Sequence, residues 1–359
     1  MYRAVHKSPY DDMLRRRAED EPSPEPAPVA IASAEPEPPS DAPAPTGRGR
    51  TPAPVPTPEP PAEVRFSADG VPEWPLPERL HPAVAELPAS VETSVAGVGR
   101  YLAGREANPW LRVKALHDYV ADRVAYDVEA YRSGRFPPQD AETVFRTRRS
   151  VCAGYANLLA ALGEAAGENI VVVGGDARND GGDVTGEGHA WNAARIGGRW
   201  ALLDATWDAG SVKGDRFEKD YGTEYLFAPP PVQGVTHFPD EPQWQLRAPP
   251  LSRGEFFRQP MMKAGFYAEG LELLAPDRSQ VTVDGPLLLS LRNPRQRWLM
   301  AHYDAGQGGG SGECTASGRE SFAVRCEFPG QGTYRVRLFV GRQQYGTYAG
   351  VGEIEAHSR

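Results

Sequence analysis

Cysteine is scarce in this chain, with three among 359 residues. That excludes a scaffold held chiefly by disulfides, and no cysteine–histidine cluster has the spacing of a metal site. Long apolar runs are also missing. None approaches the roughly 20 residues that a membrane-spanning helix needs, so no membrane span is expected. The opening stretch MYRAVHKSPYDDMLRRRAEDEP has no apolar core of a secretory signal. As written the chain reads as cytoplasmic, with export left open if translation starts further upstream. A basic stripe is absent, and the net charge is −9 with a pI near 5.4. Nucleic acid is therefore not an expected partner. No calcium-loop spacing occurs, and no cofactor is implied.

What is present divides unevenly along the chain. Residues 22–61 hold 15 prolines among Glu, Ala, Ser and Thr, with almost no bulky apolar side chain. Such a segment cannot bury enough surface to offset its ordering entropy. Residues 1–70 are thus expected to be a disordered, Pro-rich tail, extended and partly polyproline II. It serves as a spacer, or as a ligand for a proline-binding partner. The remainder, in a chain with 40% hydrophobic residues, suffices for two ordered domains.

Three short stretches carry chemistry. They are Ser150-Val151-Cys152-Ala153-Gly154-Tyr155, Gly188-His189-Ala190-Trp191-Asn192, and Trp200-Ala201-Leu202-Leu203-Asp204-Ala205-Thr206-Trp207. A thiol, an imidazole and a carboxylate follow one another within 53 residues. Cys152 to Ala166 is rich in Ala and Leu, lacks Pro and keeps helical spacing at Ala156, Leu159 and Leu162. Ser150 is read as its N-cap and Gly167 as its stop. Cys152 then lies in the first turn, where unpaired N–H groups and the helix dipole favour a thiolate and can stabilise an oxyanion.

His189 to Ile196 reads as a strand, Gly197-Gly198 as a two-residue turn, and Arg199 to Leu203 as the returning strand. In that register paired positions sum to 395, so Trp191 faces Asp204 and His189 faces Thr206. His189 and Asp204 become diagonal neighbours on one face, about 7–8 Å apart at the backbone. A carboxylate there holds the imidazole in one tautomer while its other nitrogen meets the thiol. Each residue alone has a plainer role: a small buried thiol, a core histidine, a turn-forming aspartate. Those roles do not account for the joint order and spacing.

The text VFRTRRSVCAGYANLLAALGEAAG, continued by GHAWNAARIGGRWALLDATWDAG, resembles the transglutaminase-like superfamily, which has a papain-like fold and a Cys–His–Asp triad. YLFAPPPVQGVTHFPDEPQWQL and LSRGEFFRQPMMKAGFYAEGLELLAP are similar to its kyphoscoliosis-peptidase type. The resemblance extends over roughly residues 80–355. It implies Cys152 as nucleophile, His189 as base and Asp204 as orienting acid. One departure is Ser150, where many relatives have Gly, which adds bulk beside the nucleophile. The superfamily includes proteases, transglutaminases, amide hydrolases and inactive scaffolds. The implied reaction is therefore acyl transfer through a thioester on a peptide or amide bond of a protein or peptide substrate. Water is the first expected acceptor and an amine the second. The alternatives are a scaffold that keeps the fold without catalysis, and an adaptor acting through its proline tail.

Around these stretches, Ser90 to Tyr101 is expected to be a helix, Asn108 and Pro109 to open another with the stripe Val113, Leu116, Val120 and Val124, and Asp140 to Arg148 a third. Arg146 to Arg149 reads as a solvated helix end, or as charge beside Cys152. Residues 176–188 and 208–224 read as loops, the first an ordinary surface loop or a lid. Tyr225 to Phe227 reads as a short strand. His237, in HFPD, was weighed as a second candidate base; it falls in a Pro-rich loop and is assigned a structural role. Trp191 and Trp207 are expected to pack the sheet. After Pro249, seven strand-like segments at intervals near 10 residues suggest a β-sandwich. FPGQGTYRVRLFV looks like the edge of an immunoglobulin-like domain, which is read as a docking or structural module. Residues 306–312 read as a loop tip. Cys314 and Cys326 either pair across two strands or remain free. The expected architecture is α+β: a papain-like, transglutaminase-like domain at 71–249, then an immunoglobulin-like β-sandwich at 250–359.

Overall fold

Capping explains where the helices begin. In the computed structural model Ser94 accepts the Gly97 N–H and opens helix α1, Val95–Arg105, later than the expected start near Ser90. Asn108 accepts the N–H groups of Trp110 and Leu111, Pro109 takes the first helical position, and α2 spans Pro109–Arg123. Asp140 caps α3, Ala141–Thr147. Helix α4 runs Cys152–Ala166 and stops at Gly167, whose φ of 77° suits glycine. The structure describes residues 63–178, 187–305 and 310–359, Glu187 by its backbone alone. Most of the proline-rich tail, the middle of the 176–188 loop and the 306–309 tip lie outside these residues. Val64–Arg359 form one unit.

One sequence expectation fails at the head of α4. Ser150 is not its cap: Val151 holds that position and makes no side-chain bond. Ser150 is buried, and its hydroxyl donates to Gln139 Oε1 at 2.7 Å. The same oxygen accepts the Val151 N–H at 3.2 Å. Gln139 thus anchors the chain just before the helix, and no side chain caps its first turn. Gly154 leaves room for the serine, since a Cβ there would lie 1.9 Å from Ser150 Oγ.

Helix α4 lies against an antiparallel sheet of four strands. In chain order these are β1 (Asn169–Ala177), β2 (Glu187–Ile196), β3 (Arg199–Leu203) and β4 (His237–Pro239), arranged β3-β2-β1-β4. Apolar residues alternate along β2. Ala194 and Ile196 join the core formed with α1, α2 and α4, and Trp191 and Ala193 pack on a second cluster with Val173 and Leu202. The expected stripe of Val113, Leu116, Val120 and Val124 is fully buried in the first core.

Beyond residue 260 the chain is β-rich. Among the described residues, nine strands longer than two residues follow: β5 (Glu272–Ala275), β6 (Gln280–Val283), β7 (Leu287–Arg292), β8 (Trp298–Asp304), β9 (Ser311–Glu313), β10 (Thr315–Gly318), β11 (Ser321–Cys326), β12 (Gly332–Gly341) and β13 (Tyr348–Ser358). They form two sheets, ordered β5-β7-β11-β10 and β6-β13-β12-β8-β9, the second joined by Met261–Met262 along β13. Burial on β7 alternates strictly, and the inward residues of both sheets share one core that includes Leu289, Val324, Val336 and Leu338. Cys314 and Cys326 are joined by a disulfide in this region. Sequence reading missed β9, β10, a short helix at Arg253–Arg258, whose Ser252 and Glu255 form a capping box, and, inside the expected 208–224 loop, a hairpin that pairs Gly210–Lys213 with Arg216–Lys219. No helix among the described residues is long and apolar enough to cross a membrane.

Candidate active site

Cys152, His189 and Asp204 come together in space. Strands β2 and β3 pair with Asn192 opposite Leu203 and Ile196 opposite Arg199, the expected register across Gly197-Gly198. The ladder ends at Leu203, however, so Asp204 is not a strand residue facing Trp191. Its Oδ1 accepts the N–H groups of Thr206 (2.8 Å) and Trp207 (3.2 Å), a local turn that lifts the chain off the sheet. The turn aims Oδ2 at His189, and His189 Nε2 donates to it at 2.6 Å. A diagonal neighbour relation was expected, and a direct bond is found. With Nε2 so engaged, Nδ1 is the nitrogen left for the side-chain hydrogen bond between His189 and Cys152.

The three residues are nearly sealed, at 3%, 6% and 0% exposure. Burial disfavours the charged imidazole, but the Asp204 carboxylate and the Cys152 sulfur outweigh it and hold His189 up at about 10. Burial also works against ionised Asp204, and the charge of His189 with hydrogen bonds from His189 and His237 drives it well below the carboxylate range. Trp207 and Trp191 flank the His189 ring, with centroids 5.5 and 5.9 Å away. They line the imidazole as well as packing the sheet, and their exclusion of water strengthens each charge interaction inside.

His237 is a residue that sequence reading misplaced. The segment is strand β4, pairing with β1, and not a loop. Its Nε2 reaches the same Asp204 Oδ2 at 3.0 Å. Burial, with the charge of His189, lowers its pKa despite the opposing pull of Asp204, so the ring is neutral near pH 7. Among the described residues His189, Asp204 and His237 form a group whose donor atoms lie within 4.8 Å of one another, as metal ligands can. The Nε2 atoms of the two imidazoles approach one carboxylate oxygen at 2.6 and 3.0 Å.

A second buried cluster lies below the first and had no signal beyond helix periodicity. His117 on α2, four residues after Val113 and so on the inward face, is fully buried. Its Nδ1 is 3.3 Å from Asp118 Oδ1 and its Nε2 3.1 Å from Asp208 Oδ2, though that last pair is poorly aligned. Lys114 Nζ donates to Asp118 Oδ2 (2.5 Å), and the Tyr221 hydroxyl donates to Asp118 Oδ1 (2.6 Å).

Other expectations resolve simply. Arg148 pairs with Glu92 and donates to the Tyr119 hydroxyl, and Arg149 pairs with Asp127, so these two cations of the basic run are committed to partners other than Cys152. Tyr225 to Phe227 is not a strand; Leu226 makes a single bridge to Leu203.

With this geometry in view, the comparisons with known proteins are informative. Residues 97–205, which contain all three side chains, match the family model described as the transglutaminase-like superfamily. That stretch is the transglutaminase-like part of the chain. The chain is also similar to the kyphoscoliosis peptidases of Mus musculus (30% identical over 239 residues) and Homo sapiens (29% over 239 residues), in each case over 64% of this chain. The match spans only 35% of the length of each curated relative. A solved structure from Cytophaga hutchinsonii, provisionally described as a cysteine protease, is 24% identical over 35% of this chain and 45% of its own, with a TM-score of 0.27. A superposition at that score carries no argument here.

Proposed function

We propose that this protein is a thiol-dependent enzyme of acyl transfer acting on peptide or amide bonds, with water as acceptor. The observation that carries the reading is His189 placed between the Cys152 sulfur and the Asp204 carboxylate. Cys152 Sγ, its proton already held by His189, attacks the carbonyl carbon. The carbonyl oxygen becomes an oxyanion, which the backbone N–H of Cys152 and the positive end of the helix dipole favour at this first turn. As the C–N bond breaks, His189 gives its proton to the leaving amine, and a thioester remains. Water, deprotonated by His189, then cleaves the thioester and restores the thiol. Asp204 orients the imidazole throughout and stabilises its charged form. The proposed substrate is a protein or peptide. The region after Pro249 and the proline-rich tail are proposed as docking modules rather than parts of the chemistry.

Iodoacetamide tests the reading. At neutral pH, Cys152 of the native protein is expected to be alkylated faster than in the denatured chain, and His189→Ala is expected to remove that advantage. Equal rates in native and denatured protein would leave a binding scaffold in place of an enzyme. Amine incorporation in place of hydrolysis would move the assignment to transamidation. Loss of partner binding on removal of residues 1–65, with thiol reactivity intact, would point to an adaptor.

A further inference from the structure

Asp204 has two carboxylate oxygens and accepts four hydrogen bonds. Two backbone N–H groups fill Oδ1, and two imidazoles share Oδ2. The proposed mechanism uses only one of those rings. We propose that His237 is a second positioning residue, whose Nε2–H holds Oδ2 of Asp204 in the place where His189 must find it. The inference rests on the thiol reading of Cys152 given above.

The fold delivers His237 to that spot by construction. Strand β1 lies between β2 and β4, with His189 opposite Gly175 on one side and His237 opposite Ala177 on the other. Strand β4 can approach because residue 175 has no side chain: a Cβ there would lie 2.2 Å from Phe238 O and 2.7 Å from Pro239 Cα. The two histidines thus arrive from opposite flanks of one strand and converge on an aspartate supplied by the turn after β3. The His237 ring cannot easily rotate away. It is 3% exposed, its Nδ1 is 2.8 Å from Thr236 Oγ1, and it is wedged between Trp191 and Trp207 at centroid distances of 4.9 and 4.6 Å.

The chemistry of the acceptor fixes the proton. A carboxylate only accepts, so His237 Nε2 carries hydrogen, and Nδ1 of the neutral ring is left to accept, with the Thr236 hydroxyl 2.8 Å from it and 3.3 Å from Gln233 O. A carboxylate that is sealed from water and lacks enough donors takes up a proton or swings to another partner. Either change would deprive His189 of its anchor. His237 therefore supports Asp204 by donating a hydrogen bond, while His189 alone exchanges protons with the thiol.

The test measures the second-order rate constant for iodoacetamide at Cys152 in the full-length protein, comparing wild type, His189→Ala, His237→Gln, His237→Phe and Thr236→Val. Glutamine keeps an N–H donor near the position of Nε2; phenylalanine keeps the ring volume without it. The donor role predicts a loss of about tenfold to a hundredfold for His237→Phe, the value of one hydrogen bond to a charged group. It predicts that His237→Gln stays within roughly threefold of wild type. A packing role predicts the reverse order. A phenylalanine variant as fast as wild type, or a glutamine variant as slow as phenylalanine, overturns the proposal. If neither variant melts cooperatively, Thr236→Val serves instead. It is expected to slow the reaction severalfold by releasing Nδ1, and an unchanged rate overturns the inference. Should wild type itself react no faster than His189→Ala, it is the thiol reading that falls.

Discussion

Asp204 and Asp208 stand four residues apart, both are sealed from solvent, and each faces a buried histidine. Their ionisation moves in opposite directions. Burial pushes both carboxyls up, but Asp204 is pulled down by His189 and by donors on both oxygens, whereas Asp208 remains raised because His117 and the Tyr225 N–H do not compensate. The count of well-aligned donors separates them: four at Asp204, against the Tyr225 N–H on Asp208 Oδ1 and an Oδ2 with no aligned partner. A thiol adjoins only the first cluster. The second ties α2, through His117 and Asp118, to the segment that follows Asp204. Similar residue types therefore ionise differently in the two clusters, and donor geometry decides which carboxyl is held charged beside the thiol.

The sharpest way to break this comparison is to neutralise each aspartate. Asp204→Asn is expected to lower the alkylation rate of Cys152 by about a hundredfold or more, because it removes the charged partner that holds His189. Asp208→Asn is expected to change it by less than about threefold, because it removes no donor from Asp204. Comparable losses in the two variants would erase the distinction.

Stability should show the opposite ranking. His117→Leu removes one partner of a buried ionic cluster and is expected to cost about 3–5 kcal/mol in urea unfolding, with Cys152 reactivity retained in the folded protein. A control far from both clusters is Cys326→Ser. Opening the loop closed by Cys314 and Cys326, 12 residues apart in sequence, is expected to cost about 3 kcal/mol without altering thiol reactivity.

The smallest expected effect is the pH dependence carried by His117. Burial lowers its pKa, but Asp118 and Asp208 outweigh burial and hold the ring up at about 9. A raised folded value stabilises fully below the unfolded value near 6.5, and the contribution is lost as pH climbs to about 9. Urea unfolding at pH 6 and pH 9 should therefore differ by on the order of 2 kcal/mol more in wild type than in His117→Leu. Equal slopes in the two proteins would show that the ring is neutral throughout. Asp204, being depressed, contributes in the other window: its stabilisation is present above about 3.8 and is lost as pH falls below it.

Much of the site was readable because its determinants are local. Helix α4 begins at Cys152 and ends before Gly167, where composition put it, and Gly197-Gly198 sets the β2–β3 register as expected. Reading erred where a long-range partner replaced a local one. Ser150 is next to the helix start, but its hydroxyl turns to Gln139, 11 residues earlier, and leaves the first turn without a side-chain cap. The hairpin register carried one residue past Leu203 puts Asp204 opposite Trp191, but the ladder stops at Leu203 and the Asp204 side chain accepts two backbone N–H groups instead. His237, with two prolines and a glycine nearby in sequence, resembled a loop. Its strand exists only because β1 offers an edge opposite a glycine.

The amino-acid sequence by itself determined the order of thiol, imidazole and carboxylate, the helix that presents the first, and the hairpin that presents the second and leads into the third. Those features depend on capping, periodicity and turn chemistry, which act over a few residues. Only the tertiary structure decided that Asp204 would be shared by two histidines and that Asp208 would be left short of donors. Hydrogen-bond partners 15 to 33 residues apart, or on separate strands and helices, meet through sheet pairing and burial, and no short-range rule encodes the angle at which they arrive.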